Sequence, residues 1–256
     1  MNNGSFLNKI TQLFVFINRS CKIAAVNENN LFESAPTKGE QARQKLLLAA
    51  LEKIGEKGYD GASVRDIARA AGQNVAAISY YFGNKENLYM EVLNGIVTYI
   101  WKAFGPVADE ARALLESGKT EESSACELLQ KMLKTLLMEN IERRDIDKLR
   151  NVILREQSNP TQAFDYLYAK GLKPMHEIFT GLFAMASGSD PQSPVTIIRT
   201  HALFGQVMAF KVARTTIVRR LGVPKLEREQ GGMIAAVVDE HIEIICQGLL
   251  LKAKSK

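Results

Sequence analysis

The sequence predicts an all-α protein, built from a small N-terminal three-helix unit and a larger helical domain. Apolar residues recur at helical spacing from about residue 39 onward, and glycine and proline breaks separate them into segments of helix length. The alternation of apolar and polar residues that is typical of strands is missing. With 256 residues, 46% of them hydrophobic, the chain can fill one or two substantial cores.

We divide the chain into a tail at 1–38, the three-helix unit at 39–90 and the larger domain at 91–256. The tail is rich in Asn and contains one short apolar run, Leu13 to Ile17. A bilayer span needs about 20 apolar residues and a signal peptide about 7–15. We interpret the tail as disordered or loosely docked, or as the product of a start codon placed too far upstream. A short anchor for a membrane or the nucleoid is the alternative.

The run SVRDIARAAGQNVAAISYYFGNKENL, residues 63–88, has the spacing of a helix-turn-helix. Ser63 can cap the first helix, Gly72 can take the turn, and Asn74 can cap a second helix from about Val75 to Tyr81. Ile78 would pin the second helix against the first. Because the other face of the second helix is small and polar, it can lie in the major groove of DNA.

We predict two kinds of DNA contact from this motif. Lys85 opens the next helix, where the helix dipole disfavours a cation, so a nearby phosphate would explain it. Ala76 can meet a thymine methyl group. Side chains predicted near base edges are Gln73, Asn74, Ala76, Ala77 and Ser79. Side chains predicted near phosphates are Ser63, Tyr80, Tyr81 and Lys85.

The run ARQKLLLAALEKIGEKGYDGASVRDIARAAGQNVAAISYYFGNKENLY resembles the DNA-binding domain of the TetR family of transcriptional regulators. The YYFxxKExL signature is specific, although Ser79 and Tyr80 stand where many members carry Tyr and His. Further on, LREQSNPTQAF, LKPMH and THALFGQVMAFKVAR resemble the effector domain of the CecR-like subgroup. The resemblance implies an all-helical homodimer that binds a palindromic operator, represses transcription, and is released by a small molecule.

Charge and cysteine content agree with a specific regulator. Residues 39–105 hold eight Lys and Arg against seven Asp and Glu, a net of +1, in a chain of net +5. A few positioned contacts must therefore supply DNA binding. Cys21, Cys126 and Cys246 are far apart and form no CxxC pair, which fits a reducing cytoplasm. We interpret Cys126 and Cys246 as core residues, with a redox-sensing thiol as the alternative.

Glycine and proline residues predict the helix boundaries of the larger domain. Breaks are expected at Gly105-Pro106, Ser117-Gly118, Asn159-Pro160, Gly188 to Pro194, and Gly222 to Pro224. Pro160 and Pro194 would lie in the first turns of helices that Asn159 and Ser193 cap. Pro174 interrupts a helical pattern, so a kink or a break is expected there.

Two long helices near the C-terminus predict dimerisation. The helix from Val195 to about Arg219 is apolar on more than one side, and the last helix, about Arg228 to Lys252, carries an apolar stripe. A helix that is apolar nearly all round must be covered on both sides, and a second copy can supply one cover. The residues predicted at this interface are Phe204, Met208, Val238, Ile242 and Ile245.

Polar and aromatic residues within the apolar helices are candidates for an effector pocket, because ligand sites combine an apolar cavity with a few polar groups. Internal ion pairs and ordinary core aromatics are the alternative for each. The candidates are Arg155, Glu156, Phe164, His176, His201 and Gln206.

The sequence offers nothing for catalysis. It has no GxGxxG, P-loop, HExxH or GxSxG motif, and its three histidines are isolated. We therefore expect no enzyme, no catalytic residue, no cofactor, no metal and no membrane partner. The expected partners are double-stranded operator DNA, a small-molecule effector and a second copy, all in the cytoplasm. The alternative is an all-helical protein–protein interaction module that does not bind DNA.

Overall fold

A computed structural model describes Phe32, residues 37–142 and residues 147–255 of the chain. These residues form helices joined by short turns, and the all-α prediction is confirmed. The helices are α1 (Lys38–Gly61), α2 (Val64–Ala70), α3 (Val75–Phe82), α4 (Lys85–Glu116), α5 (Glu122–Glu142), α6 (Asp147–Ser158), α7 (Phe164–Leu167), a π-helical turn (Tyr168–Leu172), α8 (Lys173–Ser187), α9 (Pro194–Val212), α10 (Arg214–Leu221) and α11 (Arg228–Lys254).

The first helix, α1, begins at a threonine cap and is interrupted near its end by a glycine. The Glu40 N–H donates a hydrogen bond to the Thr37 hydroxyl at 3.3 Å. Gly58 has a φ of +79°, a conformation that any side chain would strain. The helical path is therefore interrupted at Gly58, three residues before α1 ends at Gly61. Leu47 and Ile54 of α1 are buried.

The long helix α4 continues through Gly105 and Pro106, so the predicted break there is wrong. Proline removes one backbone hydrogen bond, but Gly105 has no Cβ to clash with the proline ring. Beyond the proline, Val107, Ala108 and Ala111 are buried. Their burial outweighs the lost bond and keeps the last turns helical. The predicted domain boundary at residues 90–91 lies inside this helix.

The chain after α6 begins its next helix later than the sequence predicts. Pro160 does not lie in a first helical turn and Asn159 is not a cap, because α7 begins at Phe164. Instead, the Thr161 N–H and hydroxyl donate hydrogen bonds to the Glu156 carboxylate at 3.1 and 3.0 Å. These bonds fold the chain back against α6 before it turns into α7.

The kink that the sequence predicts near Pro174 takes the form of a π-helical turn. Pro174 lies in the first turn of α8. Just before it, the Lys173 N–H donates to the Tyr168 carbonyl, five residues earlier. A widened turn accommodates a local change in the hydrogen-bond ladder, so α7, the π-helical turn and α8 follow one another without a loop.

The helix predicted from Val195 to about Arg219 is divided at Ala213, whose φ of −102° and ψ of 27° are not helical. Ser193 precedes α9 and Pro194 opens it, as predicted, although the Ser193 side chain makes no capping hydrogen bond. The predicted breaks at Gly118, Gly188 and Gly222 are confirmed, and each of these glycines has a positive φ.

Helix α5 is central to the larger domain and packs on α4, α8, α9 and α11. Phe179 and Phe183 of α8 are the largest fully buried side chains there. On the other side of the domain, α6 packs along α1, and this contact joins the larger domain to the helix-turn-helix unit. None of the described helices combines the length and the hydropathy that a bilayer crossing requires.

Phe32 is the part of the N-terminal 36 residues that the structure describes. Its ring fills the space that a side chain on Gly95 of α4 would need, since a Cβ there would lie 2.4 Å from Phe32 Cε1. The Gln44 side chain of α1 donates to the Phe32 carbonyl at 2.7 Å. Phe32 is thus docked on α1 and α4. The apolar run Leu13 to Ile17 and Cys21 lie outside the described residues.

Candidate DNA interface and effector pocket

Helices α2 and α3 form the predicted helix-turn-helix, with both caps in place. The Asp66 N–H donates to the Ser63 hydroxyl at 3.1 Å, and the Ala77 N–H donates to the Asn74 side-chain oxygen at 2.9 Å. These bonds satisfy backbone donors that a helix start leaves without partners. Gly72 takes the turn between the helices with a φ of +63°, which favours glycine.

One face of α3 anchors the helix and the opposite face is open to solvent. Ile78 and Phe82, four residues apart, are buried in the hydrophobic core. The exposed face consists of Val75, Ala76, Ser79 and Tyr80. Its side chains are small except for that of Tyr80, which is 82% exposed. A short helix fixed on one side and open on the other can enter the major groove.

Ala77 lies away from its predicted place. It is half-buried and packs against the core, because it falls on the Ile78 side of the helix. Asn74 is exposed, whereas Gln73 and Tyr81 are half-buried. Val75, which the sequence analysis did not single out, is 42% exposed on the open face. Its position directly after the Asn74 cap is the signal that could have identified it.

Lys85 already has partners within the protein. Its Nζ donates to the Tyr59 carbonyl at 2.5 Å and lies 4.3 Å from the centre of the Tyr59 ring. Burial lowers the pKa of Lys85, and the Asp60 charge partly opposes the shift. These contacts explain a cation at the start of α4 without a phosphate. An ammonium has three donors, however, so contact with a phosphate stays a prediction.

Asp66 engages two cations beside the helix-turn-helix. Its carboxylate accepts hydrogen bonds from Lys57, at 3.2 Å, and from Arg69. Bonds from Lys57, Ser63 and Arg69 lower the pKa of Asp66 from 3.8 to about 2. Arg65, in the first turn of α2, is exposed. Arg65 is a further phosphate candidate, absent from the residues predicted from the sequence, because it too is a cation in the first turn of a helix, where the helix dipole disfavours one.

A pocket of about 420 Å³ opens between α6, the α7–π segment, α8 and the start of α9. Volumes of this order hold small molecules. Two aromatic rings, Phe164 and Tyr168, stack at 6.0 Å on its wall. Side chains that line it include Gln157, Phe164, Tyr168, His176, Thr180 and His201. Three of the six predicted ligand residues, Phe164, His176 and His201, therefore lie in one pocket.

His176 is more buried than Tyr168 and His201, the other two titratable rings that line this pocket. Its ring lies 5.6 Å from the His201 ring and 4.4 Å from the Phe204 ring. Burial, and secondly the proximity of His201, lower the pKa of His176. A neutral imidazole carries one donor and one acceptor, so it can orient a polar group on an otherwise apolar ligand.

Arg155, Glu156 and Gln206 are not among the residues that line this pocket. The Arg155 Nε donates to the Gly55 carbonyl of α1 at 2.8 Å, and its Nη2 donates to the Glu56 carbonyl. Glu156 is 2% exposed and accepts from the Tyr89 hydroxyl of α4 at 2.5 Å. Gln206 Oε1 lies 3.2 Å from His241 Nδ1 on α11. The first two connect α6 to the helix-turn-helix unit, and the third connects α9 to α11.

The apolar face available to a second copy differs from the predicted one. Val238 and Ile242 are 4% and 0% exposed within the protomer, so they belong to its own core and the prediction is corrected there. Phe204, Met208 and Ile245 are half-buried. The sequence correctly predicted apolar residues at helical spacing on α11. It did not indicate which of the two apolar sides of the helix faces the protomer core.

Two other rows of residues, at heptad-like spacing, form the open face of α9 and α11. Their large apolar members are between 48 and 71% exposed. Gly205 and Gly248 lie in these rows with open space where a Cβ would project. The rows are Ile198, Ala202, Gly205, Ala209 and Val212 on α9, and Met233, Val237, Ile244, Gly248 and Leu251 on α11. We call this surface the α9–α11 face.

The architecture defines a class of protein in which a helix-turn-helix unit is joined to a helical domain that contains a pocket. One face of α3 is open to solvent, and α6 joins the two parts. Family models match both parts. Residues 46–92 match the bacterial regulatory proteins of the tetR family. Residues 125–249 match the C-terminal domain of the HTH-type transcriptional dual regulator CecR.

Individual relatives agree with these matches. The chain is 37% identical to the HTH-type transcriptional dual regulator CecR of Shigella flexneri over 212 residues, covering 83% of this chain and 94% of that protein. A TetR-like transcriptional regulator from Rhodococcus sp. RHA1 has a similar fold, with a TM-score of 0.53 and 16% identity over 80% of this chain and 93% of that one. HlyIIR, a hemolysin II transcriptional regulator, gives a TM-score of 0.51 and 20% identity over 78% and 98%.

The chain therefore belongs to the TetR family of bacterial transcriptional regulators, with a C-terminal domain of the CecR type. It is a DNA-binding regulator of transcription and not an enzyme, because its family and its curated relative are regulators. An interaction module without DNA binding, the alternative left open by the sequence, is set aside on the same grounds.

Proposed function

We propose that this regulator is a homodimeric repressor that binds a palindromic operator and releases it when a small, mostly apolar molecule occupies the pocket. One observation carries the proposal. Three consecutive residues of α6 contact three different parts of the molecule: Arg155 contacts α1, Glu156 contacts α4, and Gln157 lines the pocket. Because the DNA that it would bind is chromosomal, we assign the protein to the cytoplasm.

A ligand in this pocket would act on DNA binding by displacing α6. Any movement of the Gln157 backbone also moves Arg155 and Glu156, because they share one helical turn. Those residues hold the carbonyl of Gly55 on α1 and the hydroxyl of Tyr89 on α4. The ligand needs to favour the displaced arrangement by only about 1–3 kcal/mol to change operator affinity 5- to 150-fold.

The α9–α11 face supports the dimer. Its large side chains are roughly half exposed or more in the protomer, and its glycines leave open space for close approach of a second backbone. Apolar rows at a spacing of three, four or seven residues suit helix-on-helix packing about a twofold axis. Such a dimer would present two copies of α3, which need to be about 34–36 Å apart to reach successive major grooves.

Selection of DNA from a random-sequence library tests the operator proposal. The full-length protein should enrich an inverted repeat whose half-sites lie about 10 base pairs apart, or a multiple of that distance. Light scattering of the protein should give about twice the chain mass of 28.4 kDa. Enrichment of a single half-site by a monomer, or the absence of enrichment, would contradict the proposal.

A thermal-shift screen of small aromatic and apolar compounds tests the pocket. Compounds that raise the melting temperature should also lower the affinity for the selected DNA, because linkage is reciprocal. Thr180→Trp fills the pocket and should abolish both effects together. Thr98→Trp, the same substitution at an exposed position of α4 that does not line the pocket, is the matched control. Stabilising compounds that leave DNA affinity unchanged would contradict the coupling.

A further inference from the structure

The fold brings together two cysteines that are 120 positions apart in the sequence. Cys126 lies on α5 and Cys246 on α11, and these two helices pack against each other. Each thiol is the main influence on the ionisation of the other, so the two sulfurs lie close together. Cys246 is 2% exposed, whereas Cys126 is half-buried. A reagent in solution therefore reaches Cys126 before it reaches Cys246.

The two thiols have opposite tendencies to ionise. The neighbouring Cys246 thiol lowers the pKa of Cys126, and its effect outweighs the opposing effects of burial and of the Glu243, Asp239 and Glu127 charges. The neighbouring Cys126 thiol, together with burial, raises the pKa of Cys246. The thiolate thus forms on the accessible sulfur, and thiolates are the species that peroxides oxidise.

We propose that Cys126 and Cys246 form a dithiol that hydroperoxides oxidise to a disulfide between α5 and α11. The Cys126 thiolate attacks one peroxide oxygen, an S–O bond forms, the O–O bond breaks, and hydroxide leaves and takes a proton. The Cys246 sulfur, losing its proton, then attacks Cys126 Sγ, and water leaves as the S–S bond forms. Two thiols and one hydrogen peroxide give one disulfide and two waters.

This modification site does not depend on the effector pocket or on the proposed operator. Neither cysteine lines that pocket, and both side chains lie away from the exposed rows of the α9–α11 face. The disulfide would tie α11 to α5, the helix on which α4, α8 and α9 also pack. Oxidation would thereby fix the helix that carries half of the α9–α11 face.

Peptide mass spectrometry of the wild-type chain tests the proposal without any substitution. The reduced, folded protein is treated with hydrogen peroxide, free thiols are alkylated, and trypsin is added without reductant. The sequence places Cys126 in the tryptic peptide 120–131, Cys246 in 229–252 and Cys21 in 20–22. We expect a cross-link between 120–131 and 229–252, a loss of about 2 Da from the intact chain, and reversal by dithiothreitol.

Three variants assign the roles of the sulfurs. In Cys246→Ala, Cys126 should gain about 16 Da per added oxygen because no second thiol closes the disulfide. Its alkylation near neutral pH should also slow several-fold, since Cys126 loses the neighbouring thiol that lowers its pKa. In Cys126→Ala, Cys246 should stay reduced, and Cys21→Ala should behave like the wild type. Oxidation confined to Cys21, or no cross-link in the folded wild type, would overturn the proposal.

Discussion

The Tyr89 hydroxyl donates a hydrogen bond of 2.5 Å to the Glu156 carboxylate, and this bond joins α4 to α6. Both residues are 2% exposed. Thr161 donates to the same carboxylate, and the neighbouring Gln157 lines the pocket. On the other side, the Tyr89 ring lies 5.0 Å from the ring of Tyr59, whose carbonyl accepts from Lys85. A continuous set of contacts therefore extends from the pocket to a candidate phosphate ligand.

Tyr89→Phe should weaken the coupling between the pocket and DNA. The variant removes one hydrogen bond to a buried carboxylate, which costs about 2 kcal/mol of stability. A compound that stabilises the wild type should still raise the melting temperature of the variant, because the pocket is unchanged. Its effect on DNA affinity should shrink, as measured by fluorescence anisotropy with the selected operator at several compound concentrations.

Tyr166→Phe is the matched control for that experiment. The Tyr166 hydroxyl also joins the larger domain to α4, since it donates to the Asn94 side chain at 2.9 Å, but at an exposed position. Loss of an exposed hydrogen bond should leave both stability and coupling close to the wild type. Equal effects of the two variants would mean that the buried Glu156–Tyr89 bond has no special part in coupling.

Ile198→Glu should convert the dimer to a folded monomer. Ile198 is 66% exposed in the protomer, so the protomer tolerates a charge there, whereas a dimer interface would bury that charge without a partner. Sedimentation velocity should show about half the wild-type mass, with an unchanged helical circular dichroism spectrum. Leu221→Glu on α10, at a residue that is 44% exposed and outside the α9–α11 face, should remain dimeric.

Asp239→Asn should stabilise the protein at neutral pH. Burial raises the pKa of Asp239 from 3.8 to about 6, with Lys134 opposing, and its Oδ1 is buried without a hydrogen-bond partner in the described part of the chain. Because the folded pKa lies above the unfolded one, the ionised carboxylate destabilises the fold by about 3 kcal/mol above pH 6. That cost disappears as the pH falls from 6 towards 3.8.

Urea unfolding at pH 8 and pH 5 measures this difference. The free energy of unfolding of Asp239→Asn should exceed that of the wild type at pH 8, and the gap should narrow at pH 5. Asp109→Asn, at a carboxylate whose side chain is 74% exposed, should show no such pH-dependent gap. A constant difference at both pH values would contradict the assignment to Asp239.

The caps and turns of the helix-turn-helix could be predicted because they are local. Ser63, Gly72 and Asn74 act within four residues of their positions, and their backbone partners are fixed by helix geometry. The failures at Pro106 and Pro160 have the opposite cause. The helix continues past Pro106 because the residues beyond it are buried. The chain after Pro160 is held by hydrogen bonds from Thr161 to Glu156. Neither interaction can be recognised from the local sequence.

The site residues divide in the same way. Phe164, His176 and His201 meet in one pocket, but nothing in the sequence indicated that Arg155 reaches the carbonyl of Gly55, 100 positions earlier. Likewise, an apolar stripe on α11 predicted burial without distinguishing the protomer core, where Val238 lies, from the open side, where Val237 lies. The Cys126–Cys246 pair could not be predicted because its two members lie on helices that are far apart in the sequence.

Lys85→Ala separates a phosphate contact from a purely structural role. If Lys85 contacts phosphate in each protomer, the variant should bind operator and random DNA more weakly by similar factors. The slope of log affinity against log salt should become shallower by about 2, at roughly 0.9 per contact. If the Tyr59 carbonyl is its only partner, affinity will fall through lost stability while the slope stays unchanged.

The specificity ratio of Ser79→Gln tests the central claim, that the open face of α3 reads DNA. Ser79 is exposed between the anchors Ile78 and Phe82, so a larger side chain there should leave the fold intact. We predict unchanged affinity for random DNA and a loss of about 1–3 kcal/mol per disrupted base pair for the operator, or a shifted base preference. Operator and random-DNA affinities that both match the wild type over a salt series would contradict the claim.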